Sequence, residues 1–344
     1  PKGPYANYKG YEGVVAAKCG RMMVFSGQNG RDGPNYGAVP IASHSAAMAL
    51  VRGAVAALYV RDRTGQGQLV ETSLLQTITP YDLRDWIIWQ MMIQFPEDFP
   101  EDPWLRRGAS APGYVPARTK DGHWFQLANI VERLFRTMIQ TLDLDSIYED
   151  PRFKTAPVLL QDDRDTLRDM ILERVQEKTL DEWMDVFINQ TANVAAEPFT
   201  TAQDGMNHPQ LVHSGQVVEV DDPGVGPMRQ IGPLVTMGEY PGGPKGPAPL
   251  PGQHTQEILE MLGKDAKTSQ TFPSGTLPKY PLEGITVLNL STVIAGPLAC
   301  CLVAELGARV IRIEPLEGEN GRLNQMGIGV HRTMAGNEGL CLDL

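Results

Sequence analysis

The stretch GAVPIASHSAAMAL, residues 37–50, sets Ser43, His44 and Ser45 side by side in a small, apolar run. A serine next to a histidine is the raw material of a nucleophile and its base. The spacing argues against that use, because neighbours on a helix point about 100° apart and do not easily hydrogen-bond each other. There is also no G-x-S-x-G elbow. The three residues fit a helix start better, with Ser43 or Ser45 as cap and His44 partly buried. A second stretch, STVIAGP at 291–297, stands where a strand gives way to a helix. Open α/β sheets bind ligands at such points, and the helix offers N–H groups and the positive end of its dipole to an anion or phosphate. The same residues also fit a tight turn with no ligand. Neither GxGxxG nor a Walker A sequence occurs, which argues against nicotinamide and ATP.

Other reactive residue types have plainer uses. Cys300 and Cys301 fall on the apolar face of a helix and are expected in the core. Trp86, Trp89, Trp104 and Trp124 are expected to pack, His208 in NHPQL to cap a turn, and the acidic clusters at 97–102 and 143–150 to form solvated loops.

The elements that must position these residues follow from periodicity and breakers. Residues 43–63 predict a long helix with the Gly-rich exit TGQGQ, followed by a strand, LVETSLL. Residues 78–99 predict another helix, ended by the prolines of PEDFPEDPW. GHWFQLA alternates like a strand, and amphipathic helices are predicted at 130–143, 163–178 and 180–190. Short strands at 215–235 are split by DDPGVGP, a Pro/Gly passage leads to a helix at 254–262, and the polar stretch after it resembles a linker. ITVLNLS, LACCLVAELGA and RVIRIEP then read as strand, helix and strand, a βαβ unit of a parallel sheet.

Composition sets the wider bounds. The 344 residues are enough for two domains. Thirty Lys and Arg against 41 Asp and Glu give a net charge of −11, which disfavours nucleic-acid and anionic-membrane partners and favours small molecules or proteins. The four cysteines, Cys19, Cys300, Cys301 and Cys341, make no metal-binding spacing and fit a reducing compartment, so neither a metal site nor disulfides are expected. No uncharged apolar stretch of about 18 residues and no leader pattern is present, and the expected location is the cytoplasm. The chain begins without Met and stops within the strand-like LCLDL, which reads as a fragment.

At this point a resemblance becomes specific. LEGITVLNLSTVIAGPLACCLVAELGARVIRIEP, 282–315, resembles the amino-terminal signature of the family III CoA-transferases, the group of formyl-CoA transferase, carnitine CoA-transferase and the bile-acid-inducible proteins. GPYANYKGYEGVVAAKCGRMMVFSG is similar to that family's mid-chain GPYA…GYD…SG passage. RDRTGQGQLVETSLLQ is similar to its helix exit, and EDPRF, HPQL, DDPGVGPMRQIGPL and PLPGQHTQEIL to its later half. The order is inverted. Residues 1–262 resemble the later part of one family copy and 282–344 the opening of another, as in a window cut from a tandem fusion.

The resemblance implies an α/β fold: a Rossmann-like large domain with a small α+β domain, in an interlinked-ring topology. Residues 1–100 would be the later part of the first copy's large domain, 101–200 the small α+β domain and 201–262 a return to the large domain. Residues 263–281 would be a linker and 282–344 the start of the second copy's large domain. It also implies transfer of CoA from an acyl-CoA to a carboxylic acid through an aspartyl anhydride and an aspartyl-CoA thioester. Coenzyme A would be a substrate, with no prosthetic group and no metal, and the assembly a homodimer or a pseudo-dimer within a tandem chain.

Counted back from TGQGQ, the family's nucleophilic Asp falls at Ser43, so this half resembles a lost active site. The related racemases use a His and an Asp that would fall at Tyr11 and Ser43. The residues expected against CoA are Val293, Ala295, Gly296 and Pro297. The family's basic turn would lie at Asn337, Glu338 and Gly339, Pro315 stands where some members carry an Arg that contacts CoA, and Ile294 replaces a frequent polar residue. Fewer cations weaken the hold on a polyanion. The first expectation is therefore a CoA-transferase-type protein whose 1–262 half is catalytically degenerate. The alternatives are a non-catalytic regulatory or interaction subunit, and a hydrolase or lyase that uses Ser43 or Glu12.

Overall fold

Apolar residues at helical spacing over 132–187, with aromatics among them, are what a small core needs, and they supply one here. A computed structural model describes residues 3–24, 33–37, 39–78, 85–98, 111–157, 159, 161–191, 193–240, 242–262, 273–319, 322 and 328–343. The chain divides into two compact units, Pro1–Gly108 with Thr268–Leu344, and Ala109–Lys267. In the second unit β1 (Pro116–Arg118), β2 (Trp124–Leu127) and β3 (Ala196–Pro198) form an antiparallel sheet in the order β1-β2-β3. α6 (Glu132–Thr141), α7 (Gln161–Val175) and α8 (Leu180–Asp185) accompany it, and α8 continues into a π turn at Val186–Thr191. Phe125, Phe135, Leu167, Trp183 and Phe187 are buried together. Trp183 stacks on Phe187 at 5.4 Å, and its indole N–H donates to the Val175 carbonyl at 2.8 Å, as a buried indole requires. A capping box between Thr179 and Glu182 sets the start of α8.

The strands read at 215–235 form a hairpin, β4 (Val217–Asp222) with β5 (Gly226–Ile231), in which the Asp222 carboxylate accepts from the Gly224 and Val225 amides. α9 (Ala202–Asn207) and α10 (Pro209–His213) precede it, and His208 Nδ1 caps α10 by accepting from the Gln210 amide. Residues 201–262, with α11 (Thr255–Leu262), group with the second unit. β4 and β5 pair with each other along one edge each, and α10 packs on β4.

The first unit joins two distant stretches of sequence. α1 (Glu12–Lys18), α2 (Arg21–Val24), α3 (Ile41–Thr64), α4 (Leu74–Ile78) and α5 (Asp85–Gln94) come from its early part. β6 (Thr286–Asn289), α12 (Ala295–Ala304), β7 (Arg309–Pro315), α13 (Ile328–Thr333) and β8 (Asn337–Leu342) come from its late part. The three strands are parallel in the order β6-β7-β8, so the expected βαβ unit is present and extended by a third strand. Arg52, midway along α3, donates to the Leu302 carbonyl at 3.4 Å and pairs with Glu305 at 3.6 Å, which ties α3 to α12. The Gly275 amide bonds the Thr64 carbonyl, and Gly65 ends α3 in the left-handed conformation, φ 74°.

Several expectations change. LVETSLL is not a strand: no regular element covers 69–73, and α4 begins at Leu74. The helix read at 78–99 is seen as α5, 85–94, with 79–84 outside the described residues, as are the side chains of Trp86 and Trp89 and all of Trp104. Trp124 is 47% exposed where packing was expected, since it points from the outer face of a half-buried strand. Cys301 is buried and Cys300 half-buried. α3 is also, by length and composition, the one helix among the described residues apolar enough to cross a membrane. Its apolar run is broken by the paired Arg52.

Candidate functional site

Two helix starts in the first unit carry the residues singled out above. Neither Ser43 nor Ser45 is the cap of α3: the N-cap position is Pro40, with no side-chain bond. The Ser45 hydroxyl turns back on the Ile41 carbonyl. Glu12, from α1, caps the helix from outside. Its carboxylate accepts from the Ala42 amide at 2.8 Å and from the Ser43 amide and hydroxyl, both at 2.7 Å. Partial burial tends to raise the Glu12 carboxyl. The Ser43 hydroxyl and the two amides outweigh it, with a smaller pull from His44, and hold the group below the usual carboxylate range. His44 is exposed, not partly buried. Ser43 therefore donates its hydroxyl to a carboxylate that its hydrogen bonds have made a weaker base. A carboxylate that accepts this hydrogen bond and stays ionised anchors the serine more than it activates it.

The second start is the turn between β6 and α12. Among the described residues no side chain caps α12, and no acidic residue lies in its first turn, so its positive dipole end is left open there. Val293 sits at φ 69°, a conformation that a β-branched residue adopts only where its surroundings force it. A Cβ on Gly296 would overlap the Ser291 side chain, so glycine is required there. Of the four residues expected against CoA, Val293 and Ala295 are exposed, Gly296 is half-buried and Pro297 is buried. Beneath the turn lies a group that the sequence reading missed. Arg312 is 1% exposed and donates to Asn289 Oδ1 at 3.2 Å, to the Ser291 carbonyl and to Glu319. Glu314, also buried, accepts from Arg322 at 2.7 and 2.8 Å. The Arg322 bond holds the Glu314 carboxyl below its ordinary range against the opposing effect of burial.

The signal for this network was present in RVIRIEP, where two successive inward positions of a strand, 312 and 314, carry charges. Glu12 left no such local trace, since its partner is 31 residues away. The positions expected to form a basic turn, Asn337, Glu338 and Gly339, instead open β8, and Glu338 pairs with Arg309 at 2.8 Å. Among the described residues no group of three His, Cys, Asp or Glu is placed to hold a metal.

The sequence pattern of the family described as CoA-transferase family III matches residues 1–255 and 282–344. The chain is 27% identical to an acyl-CoA transferase of Fusarium pseudograminearum over 82% of its own length and 58% of that protein's. It is 23% identical to the CoA-transferase/lyase DddD of a Marinomonas species over 91% of its own length and 42% of that protein's. It thus spans less than two thirds of the length of either relative. A CAIB/BAIF family protein from Brucella suis has the same mixed α/β fold, with a TM-score of 0.56 at 21% identity over 76% of this chain and 65% of that one. With the family pattern covering both of its long segments, the chain belongs to CoA-transferase family III.

Proposed function

We propose that this chain is part of a tandem, two-copy CoA-transferase that moves CoA between an acyl-CoA and a carboxylic acid, and that its 1–262 half is catalytically silent. The observation that carries the silent half is the Glu12–Ser43 arrangement. In family chemistry a carboxylate at position 43 would attack the thioester. Here a serine stands there, with its hydroxyl and amide both bonded to Glu12. Acylation of a serine hydroxyl gives an ester and not the anhydride that the family chemistry requires, and the Glu12 carboxylate that the hydroxyl meets is a weak base. The amides at the start of α3 are likewise used internally and are not offered to a substrate.

Two observations support the tandem order. The alignment to DddD covers 91% of this chain, more than residues 1–281 contain, so it runs past the linker into the second segment. The two segments also share one compact unit. In this reading 282–344 supplies the parallel-sheet half of a Rossmann-like large domain, and 1–108 supplies its helical wall. Residues 263–281 connect two copies, and the interlinked pairing of the family is met within the longer protein or by a second chain. The turn at 291–297 would receive CoA as substrate, with Val293, Ala295 and Gly296 nearest the ligand and Pro297 as packing beneath them. The four cysteines are unpaired, which supports a reducing, cytosolic setting.

Hydroxylamine trapping tests this. Incubation with succinyl-CoA and other acyl-CoAs, followed by hydroxylamine and peptide mapping, is expected to leave residues 1–262 unmodified and to mark an Asp in the second copy of the two-copy protein. A hydroxamate or acyl mark on Ser43 or Glu12 would overturn the silent half.

A further inference from the structure

We infer that Arg312 is a positioning residue for the ligand turn between β6 and α12, an inference that rests on the CoA-binding reading of that turn. The face of β7 that carries Val310, Arg312 and Glu314 is buried, and strands of parallel sheets ordinarily fill such faces with Val, Ile or Leu. Two charged residues replace them here, Arg312 in a buried ion pair with Glu319 and Glu314 paired with Arg322. A buried ion pair adds little stability over apolar residues of the same size, and exchange for such residues is often neutral or favourable. The pair therefore calls for another explanation, and its hydrogen bonds give one.

Arg312 stands in register opposite Asn289, the last residue of β6. Together the two side chains hold Ser291 by every polar atom it has. Arg312 donates to its carbonyl, while Asn289 Oδ1 accepts from its amide at 3.2 Å and from its hydroxyl at 2.6 Å. Arg312 also donates to Asn289 Oδ1, which fixes the amide's orientation. Ser291 in turn fills the space above Gly296 that a side chain would need. Between these two fixed points lies Val293 at φ 69°, and strained backbone of this kind persists only when its neighbours over-determine it. Glu319, held at its amide by Glu314, completes the clamp by pairing with Arg312. Among the described residues, Arg312 Nε, Asn289 Nδ2 and Glu319 Oε1 are buried without a partner. That cost is hard to explain if stability were the network's purpose. Arg312 need not touch CoA: it sets the turn that does.

The test pairs Arg312→Met/Glu319→Met, which removes the clamp without stranding a charge, with Arg312→Lys, which keeps the charge and loses the fork. Both are compared with the unaltered protein by CoA calorimetry and by amide hydrogen exchange, well below their unfolding midpoints. The double variant is expected to bind CoA about tenfold or more weakly, because displacement of a binding element far from the ligand has effects of that size. Exchange at 292–298 should rise by a similar factor, while β7 and β8 change little, and Arg312→Lys should recover part of both. Unchanged exchange at 292–298 in the double variant, or unchanged CoA affinity where the unaltered protein binds CoA, overturns the role of Arg312. If the unaltered protein binds no CoA, the ligand reading of the turn fails, and the exchange pattern alone decides the positioning role. A uniform rise in exchange across the sheet would mark Arg312 as a general structural residue and also overturn the inference.

Discussion

The starts of α3 and α12 lie in the same compact unit and solve the same electrostatic problem in opposite ways. Each helix presents unbonded amides and a partial positive charge at its first turn. At α3 an internal carboxylate, Glu12, takes both, and the serine beside it is bound into the same cluster. At α12 no side chain among the described residues does so. There the preceding turn is clamped from below by a buried arginine, and its exposed backbone is held in a strained shape at Val293. A helix start sealed by its own protein is a structural joint, whereas one left open over a rigid turn is a place for an external anion. The contrast supports the proposal of a silent 1–262 half and a CoA-binding turn at 291–297 more directly than either sequence motif does.

Substitutions can break that contrast. The largest effect is expected at Glu319→Leu, which strands the buried Arg312 charge and should cost about 3–5 kcal/mol, measured by urea denaturation. Replacing Arg312 and Glu319 together by apolar residues should cost much less, and if the double variant is the less stable one, the buried pair is a stabilising element after all. Next comes Gly296→Ala, whose methyl has no room against Ser291. Overpacking of this kind costs about 1–3 kcal/mol, and the variant should also lose CoA affinity in calorimetry.

At the sealed start, Glu12→Gln removes the anionic cap and should cost about 1 kcal/mol. Its pH dependence has a definite sign. The folded carboxyl lies below its ordinary value, so its stabilisation is complete above the ordinary carboxylate range and is lost as pH falls through the lower, folded value. The stability gap between parent and variant should therefore close on acidification. A gap that widens toward low pH would remove Glu12 from the cap. The smallest effect is at the open start and has the opposite sign. Val293→Gly relieves the positive φ and, after the extra chain entropy of glycine, should stabilise by less than about 1 kcal/mol, seen as a raised midpoint in thermal unfolding.

The sequence by itself determined the elements whose cause is local. The 3.6-residue pattern of 132–141 and 161–175, the TGQGQ exit of α3, the DDPGVGP hairpin and the strand–helix–strand of 285–315 are all where periodicity and turn residues place them. The turn at 291–297 was legible for the same reason, since a strand followed by a small-residue helix start has one geometry. Tertiary structure decided what depends on distant partners. The cap of α3 comes from Glu12, 31 residues upstream of Ser43, which no reading of ASHSAA could supply. LVETSLL has strand-like residues, but no strand among the described residues pairs with it, and its end is helical from Leu74. The grouping of 201–262 with the second unit and of 268–344 with 1–108 follows from which surfaces bury each other. Hydrophobic burial is blind to order along the chain, and so the order of the sequence does not set it.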